Sequence, residues 1–368
     1  MKFLFWTDGF WPRLGGVETQ GLQFIEGMQQ RGHQYMVLTQ RDHSSWKEDE
    51  IYLGIPIKRF DFNAIVAKRD LKIIRAIQDY LESVMREFQP DVVHLNASVG
   101  GSAFAFLLFI KMFRVPIIST VHAPYLYNGA FPSVIEKIAS FVDQICCVSN
   151  WVFHEMEKLL PEMKHKMRCI YNGLPMPDTV PLPLSFSPPI LLAFGRLVRE
   201  KGFDTAILAF SLLKKRGSNA QLILAGGGPE RPALELLAGE LDLGDSVVFT
   251  GVLTQEEVTS TFNRATIVLV PSIIESFGLV ILEAMQMGRP VIASRVEGVP
   301  EVIVEGETGI LVPKQDPIAL CEAIEDLLAQ PEKAIQMGMQ GRKRAIETFT
   351  LDQNVLQYEE VSLNSCVR

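Results

Sequence analysis

Several catalytic devices have no counterpart in this chain of 368 residues. No Asp-x-Asp pair occurs, the nearest fragment being Asp61-Phe-Asn63, so dependence on a divalent metal is not expected. Neither Gly-x-Ser-x-Gly nor Gly-x-x-x-x-Gly-Lys-Ser/Thr appears, which argues against an α/β-hydrolase nucleophile and against a P-loop. The longest apolar run, Ala103 to Ile110, is too short to span a bilayer and reads as a buried helix. Met1 to Trp6 lacks the length and the small-residue cleavage site of a signal peptide and leads straight into a strand. The five cysteines, at 146, 147, 169, 321 and 366, are odd in number and have no metal or redox spacing. Reduced, packed thiols in a cytoplasmic setting are expected. Basic charge is not in excess either. Residues 1–180 carry 19 Lys+Arg against 19 Asp+Glu, and the rest carry 16 against 24, the whole net charge of −8. Neither half invites nucleic acid.

What is present is an alternation of short β-rich runs with amphipathic helical stretches, repeated in two halves. This is the signature of α/β domains with parallel sheets. In the first half, strands are expected at 2–7, 34–39, 91–95, 116–120 and 144–148, with helices near 17–30, 70–88, 101–113 and 133–142. The second half restarts at 189–194, 221–225, 246–250, 266–270 and 290–293. Its helices are expected near 203–216, 230–241, 255–263, 279–287 and 316–329. Asn172 to Pro189 holds six prolines and little periodicity, so it reads as an interdomain linker. Two doubly wound domains facing each other would bring the carboxyl ends of their strands to one central cleft, where ligands are expected. A two-domain dehydrogenase would share this outline, so the loops must decide.

The most informative loop is Glu275-Ser-Phe-Gly-Leu-Val-Ile-Leu-Glu283, two carboxylates separated by seven residues. A buried strand precedes it, and Leu279 to Met287, with apolar residues at 279, 282 and 285, reads as the following helix. Gly278 then opens that helix and leaves unpaired backbone N–H groups suited to phosphate. Glu275 falls in the loop and Glu283 about a turn and a half into the helix. One carboxylate can reach a sugar hydroxyl while the other accepts bonds from a ribose. On spacing alone, two glutamates on a solvated helix would also account for it. A second loop, Gly195-Arg196-Leu-Val-Arg-Glu-Lys201-Gly202, carries two cations able to converge on one diphosphate, Arg196 as a fork and Lys201 as a point charge. Gly226-Gly227-Gly228-Pro229-Glu230 is a glycine-rich turn after a strand that lacks the Gly-x-Gly-x-x-Gly continuation of dinucleotide sites.

These strings resemble the retaining GT-B glycosyltransferases grouped as family 4: the E-x7-E pair, the G-R-x-x-x-x-K-G loop and the G-x-G-P turn. The resemblance implies two Rossmann-like domains, residues 1–175 for the acceptor and 176–350 for the donor, with a C-terminal helix over 351–368 crossing back. It implies hexosyl transfer, retaining and metal-independent, from a nucleoside-diphosphate sugar, with UDP- or GDP-sugar favoured, to a hydroxyl acceptor. No cofactor is implied. His122, Arg196, Lys201 and Glu275 are then the catalytic candidates. Gly15, Gly16, Gly228, Val252, Phe277, Gly278, Leu279, Val280 and Glu283 are the candidates for binding the donor. The paired glycines Gly15 and Gly16 match a backbone approach to donor phosphate and acceptor, and His122 matches a histidine beside the donor sugar. Arg295 to Glu301 and Glu305 to Gly309 also match and are assigned mainly to fold. A non-enzymatic sugar-nucleotide or glycan binder, or an inverting GT-B enzyme such as a nucleotide-sugar epimerase, are the rival readings. Peripheral membrane contact is left open by the basic start of a helix at Ala67 to Arg75 and by apolar Phe104 to Phe113.

Overall fold

Val-, Ile- and Leu-rich runs buried on both faces can satisfy their backbones only by pairing with one another in a covered parallel sheet. The computed structural model describes residues 1–13, 15–62, 71–96, 106–124, 136 and 139–366. The chain divides into two compact units, one of Met1–Gly173 with Leu351–Arg368 and one of Leu174–Thr350.

The first unit holds β1 (Lys2–Thr7), β2 (Gln34–Gln40), β3 (Asp49–Tyr52), β4 (Ile55–Phe60), β5 (Val92–Asn96), β6 (Ile117–Val121), β7 (Gln144–Cys147) and β8 (Met167–Cys169). Their order across the sheet is β3-β4-β2-β1-β5-β6-β7-β8, parallel except for the β3–β4 hairpin. Its core holds a cluster of aromatic rings among aliphatic side chains. Phe5 contacts the rings of Phe10, Phe24, Tyr35 and His94, and Phe24 meets Tyr358 edge to face at 5.0 Å. Tyr358 belongs to the C-terminal helix Leu351–Cys366, which packs on the helix Gly16–Gln30; a Cβ on Gly27 would lie 3.0 Å from Val355.

The second unit holds β9 (Ile190–Phe194), β10 (Gln221–Ala225), β11 (Val247–Gly251), β12 (Ile267–Val270), β13 (Val291–Ser294) and β14 (Ile310–Val312). Their order is β11-β10-β9-β12-β13-β14, all parallel. The chain therefore winds outward from β9 in one direction and then from β12 in the other. The crevice at the β9/β12 reversal is the topological switch point, where open parallel sheets bind ligands. The core here is mainly aliphatic, built on Leu191, Leu222, Leu224, Ile267, Ile292, Ile324 and Leu327.

Several elements were not expected from the sequence. The hairpin β3–β4 turns through Leu53 and Gly54, both with positive φ, so no Asn-Gly or Asp-Gly pair marks it. The helix Pro331–Thr348 contains Gly338 and Gly341, which weaken its helical signature. Both are packing sites: a Cβ on Gly338 would lie 2.1 Å from the Gly288 carbonyl oxygen, and one on Gly341 would lie 3.2 Å from Met285. The helix Asn150–Leu159, capped by Ser149, was also not anticipated. The helices expected at 101–113 and 133–142 fall partly outside the described residues; of the first, Leu107–Lys111 is helical. The membrane-contact segments at 67–75 and 104–113 lie partly outside them as well. Among the described residues no helix is long and apolar enough to cross a membrane.

Candidate active site

At the switch point, the loop after β9 meets the loop after β12. The Glu200 carbonyl accepts the N–H groups of Ile273 and Ile274, which fixes one loop against the other. Across this junction Lys201 Nζ donates to Glu275 Oε2 at 2.5 Å, and Ser272 Oγ lies 3.4 Å from the same oxygen. Both side chains of the ion pair are largely shielded, Lys201 at 29% and Glu275 at 14% exposure. Such a pair is held more firmly than one on an open surface. The other predicted cation, Arg196, is exposed and pairs with no described carboxylate. Its loop is anchored by the glycine-rich turn, because Leu197 donates its N–H to the Gly227 carbonyl and accepts from the Glu230 N–H. A Cβ on Gly228 would lie 2.3 Å from the Leu197 carbonyl oxygen, so this close approach requires glycine.

The helix Leu279–Gln286 begins at Gly278, whose φ of 99° lies in the region that favours glycine. The N–H groups of Leu279 and Val280, half-buried residues of the first turn, thus stand at a helix N-terminus without side-chain capping. Phe277 turns inward. Its ring is buried and packs edge to face on Phe349 at 5.8 Å, so only its backbone remains for a ligand. Glu283 keeps some accessible surface, yet burial pushes its carboxyl up to about 8 against the opposing pull of Lys201. A carboxyl this desolvated is a strong hydrogen-bonding group awaiting polar partners. Lys201, Glu275 and Glu283 are therefore brought together. Val252, 68% exposed, lies beside Gly227 at the end of β11; a Cβ on that glycine would sit 2.8 Å from Val252 Cγ2.

In the first unit, His122 follows β6 and its Nε2 lies 2.7 Å from Asn96 Oδ1. An amide oxygen only accepts, so Nε2 carries the proton and Nδ1 is the free acceptor. Burial lowers the ring to about 4, so it is neutral at pH 7. Beneath it runs a second chain of contacts, His94 Nε2 to Thr120 Oγ1 at 2.8 Å and Thr120 Oγ1 to the Tyr358 hydroxyl at 2.8 Å. Asn96 and Tyr358 had no motif to mark them. Gly15 precedes the helix Gly16–Gln30 in extended backbone, and a Cβ there would lie 2.3 Å from Glu18 Oε2. Glu18 in turn pairs with Arg13 at 3.0 Å.

Two family models match the chain: Glycosyltransferase Family 4 over residues 14–176 and Glycosyl transferases group 1 over 182–344. Alpha-D-kanosaminyltransferase of Streptomyces kanamyceticus is 38% identical over 179 residues, 48% of this chain and 46% of that protein. The chain thus aligns with about half the length of this relative. N-acetyl-alpha-D-glucosaminyl L-malate synthase of Bacillus anthracis is 26% identical over 365 residues, 95% of this chain and 94% of that one. Sucrose-phosphate synthase from Thermosynechococcus elongatus superposes with a TM-score of 0.84 at 23% identity, covering 99% of each chain, and shares the fold. With both models matched in sequence order and two Rossmann-like parallel-sheet units of the GT-B type, the chain belongs to the group 1, family 4 glycosyltransferases.

Proposed function

We propose that the chain transfers a hexose-type sugar from a nucleoside-diphosphate sugar to a hydroxyl acceptor, with retention at the anomeric carbon and without a divalent metal. A UDP- or GDP-sugar is the donor in this reading. The observation that carries it is the Lys201–Glu275 pair at the β9/β12 switch point, with desolvated Glu283 close by. A cation, two carboxylates and an uncapped helix N-terminus suit a ligand with an anionic middle and hydroxyls at both ends.

The bond from the sugar C1 to the leaving phosphate oxygen breaks, and the acceptor oxygen bonds to C1 on the same face. The acceptor proton passes to the departing phosphate oxygen. Arg196, Lys201 and the backbone amides at 278–280 take up the charge that grows on the diphosphate, as such fixed donors do in other transferases. Glu275 holds donor-sugar hydroxyls and Glu283 the ribose; neither serves as a covalent nucleophile. His122 is assigned to the donor sugar, and the Gly15–Gly16 turn to donor phosphate and acceptor, on the family resemblance alone. A neutral His122 contributes a hydrogen-bonding lone pair there rather than a positive charge. A cytoplasmic setting belongs to the same reading, supported by cysteines without disulfide spacing.

The test is a panel of UDP-, GDP- and ADP-sugars scored for thermal stabilisation and slow donor hydrolysis. Proton NMR of the product then gives the anomer, and EDTA is added to parallel reactions. One donor should stabilise the chain and give product of unchanged anomeric configuration, with EDTA nearly without effect. An inverted product, a loss on chelation that metal restores, or no response to any donor would each remove the corresponding part.

A further inference from the structure

We propose that Glu297 is a positioning residue for the donor loop: its carboxylate fixes the backbone of Glu275, and thereby the aim of the Glu275 side chain at the donor sugar. The inference rests on the assignment of Glu275 to donor-sugar hydroxyls.

Glu297 lies in the loop between β13 and the short helix Val299–Val302. Its Oε2 accepts the Glu275 N–H at 2.5 Å, and the N–H of the next residue, Gly298, donates to the Glu275 carbonyl at 3.3 Å. The side chain of Glu275 is meanwhile held by Lys201 and Ser272. The backbone donor, the backbone acceptor and the carboxylate of this one residue are thus all engaged, the first two by the 297–298 loop.

Two features of Glu297 run against stability, and both are explained by this role. Its φ is 41°, in the left-handed region that a side chain with a Cβ rarely adopts, where glycine would be free of strain. Its carboxyl is partly desolvated, which raises its pKa, and it lies near enough to Glu275 for the two like charges to repel. The Glu275 N–H and Lys314 act in the opposite direction. A residue in unfavourable backbone conformation, placed beside a like charge and tied to a residue of the donor loop, has the character of strain retained at a functional site. The hydrogen bond that compensates is charge-assisted and geometrically specific.

The substitutions that test this separate the bond from the strain. In the full-length chain, Glu297→Gly removes both the left-handed strain and the hydrogen bond that offsets it, so its melting temperature should stay close to that of wild type. Its kcat/KM for the sugar nucleotide that best stabilises the chain (from UDP-glucose, UDP-N-acetylglucosamine, GDP-mannose and ADP-glucose) should fall about tenfold or more. Affinity for the matching free nucleoside diphosphate should stay within about twofold of wild type, since the phosphate and ribose contacts are untouched. Glu297→Asn, tolerant of positive φ but one methylene shorter, should behave like the glycine variant. Glu297→Gln keeps an accepting oxygen and should retain turnover within about threefold. Wild-type turnover in both the glycine and asparagine variants, with Glu275→Gln inactive, would overturn the role of Glu297 while leaving the site intact. A parallel fall of stability, nucleotide affinity and turnover would show a purely structural residue and overturn it too. Wild-type turnover in Glu275→Gln would instead remove the sugar-binding assignment and the inference with it.

Discussion

The two units solve the same topological problem with different materials. The first sets a cluster of rings into its aliphatic core and runs a buried polar chain, Tyr358 to Thr120 to His94, beneath its sheet. The second fills its core with branched aliphatics and gathers charge in the loops beyond the strands. Aromatic packing with internal hydrogen bonds favours one arrangement of the C-terminal helix on the unit that carries His122. The second unit buries a charge as well, Arg289, but bonds it to the backbone carbonyls of Met287, Ala265 and Leu182, whereas the Lys201–Glu275 pair lies in the loops at the switch point, where a ligand can use it. The contrast teaches where substitutions should act: on stability in the first unit, on ligand and turnover in the second.

The largest effect expected from this division is in the aromatic core. Phe24→Ala removes a ring that meets Phe5, Tyr35, His94 and Tyr358, and should cost about 3–5 kcal/mol, read as a lowered melting temperature. At temperatures where the variant stays folded, nucleoside diphosphate affinity should be unchanged, and a large loss of that affinity would break the comparison. Next comes Lys201→Ala, which removes the cation that pairs with Glu275 and that is proposed to face the diphosphate. It should lower turnover by about 2–4 kcal/mol of barrier with the fold intact by circular dichroism. Wild-type rates from a well-folded variant would contradict its role.

A smaller effect concerns pH. Glu283 holds its proton up to about 8 in the unliganded chain. A ribose that needs the ionised carboxylate as a double acceptor drives that proton off, so affinity should improve as pH rises toward 8 and level off above it. The gain is at most about tenfold per pH unit. Titration calorimetry with a 2′,3′-dideoxy nucleotide should lose this dependence, as should Glu283→Gln. The smallest effect is Tyr358→Phe, which deletes one hydroxyl bonded to Thr120 and should lower stability by about 1 kcal/mol while turnover is kept.

Much of the second unit was legible because its signals are local. Each strand is a short apolar run, most loops carry a glycine, and Glu275, Glu283 and Lys201 sit in strings whose spacing follows from strand, turn and helix. The β3–β4 hairpin was not legible because its turn relies on Leu53 in a conformation leucine rarely takes, and the Pro331–Thr348 helix because its glycines answer to distant carbonyl and side-chain neighbours. Phe277 was read as a ligand contact beside Glu275, and only the packing on Phe349 shows that its ring belongs to the interior. Asn96 was silent, and Glu297 lay unremarked in a string assigned mainly to fold, for a related reason. One is a polar residue ending a buried strand, the other a glutamate in a conformation suited to glycine. Their significance lies in the partner each meets across the fold, His122 and the Glu275 backbone, and no spacing rule contains that partner.

The central claim is that Glu283 and Glu275 divide the donor between ribose and sugar. Calorimetry of Glu283→Gln and Glu275→Gln, each titrated with the nucleoside diphosphate and with the intact sugar nucleotide, tests it most directly. Glu283→Gln should weaken binding of both ligands, because a charged acceptor becomes partly a donor. Glu275→Gln should leave the plain nucleotide nearly unaffected and weaken the sugar nucleotide alone. Equal losses of plain nucleotide affinity in the two variants, or no loss in either, would contradict the account.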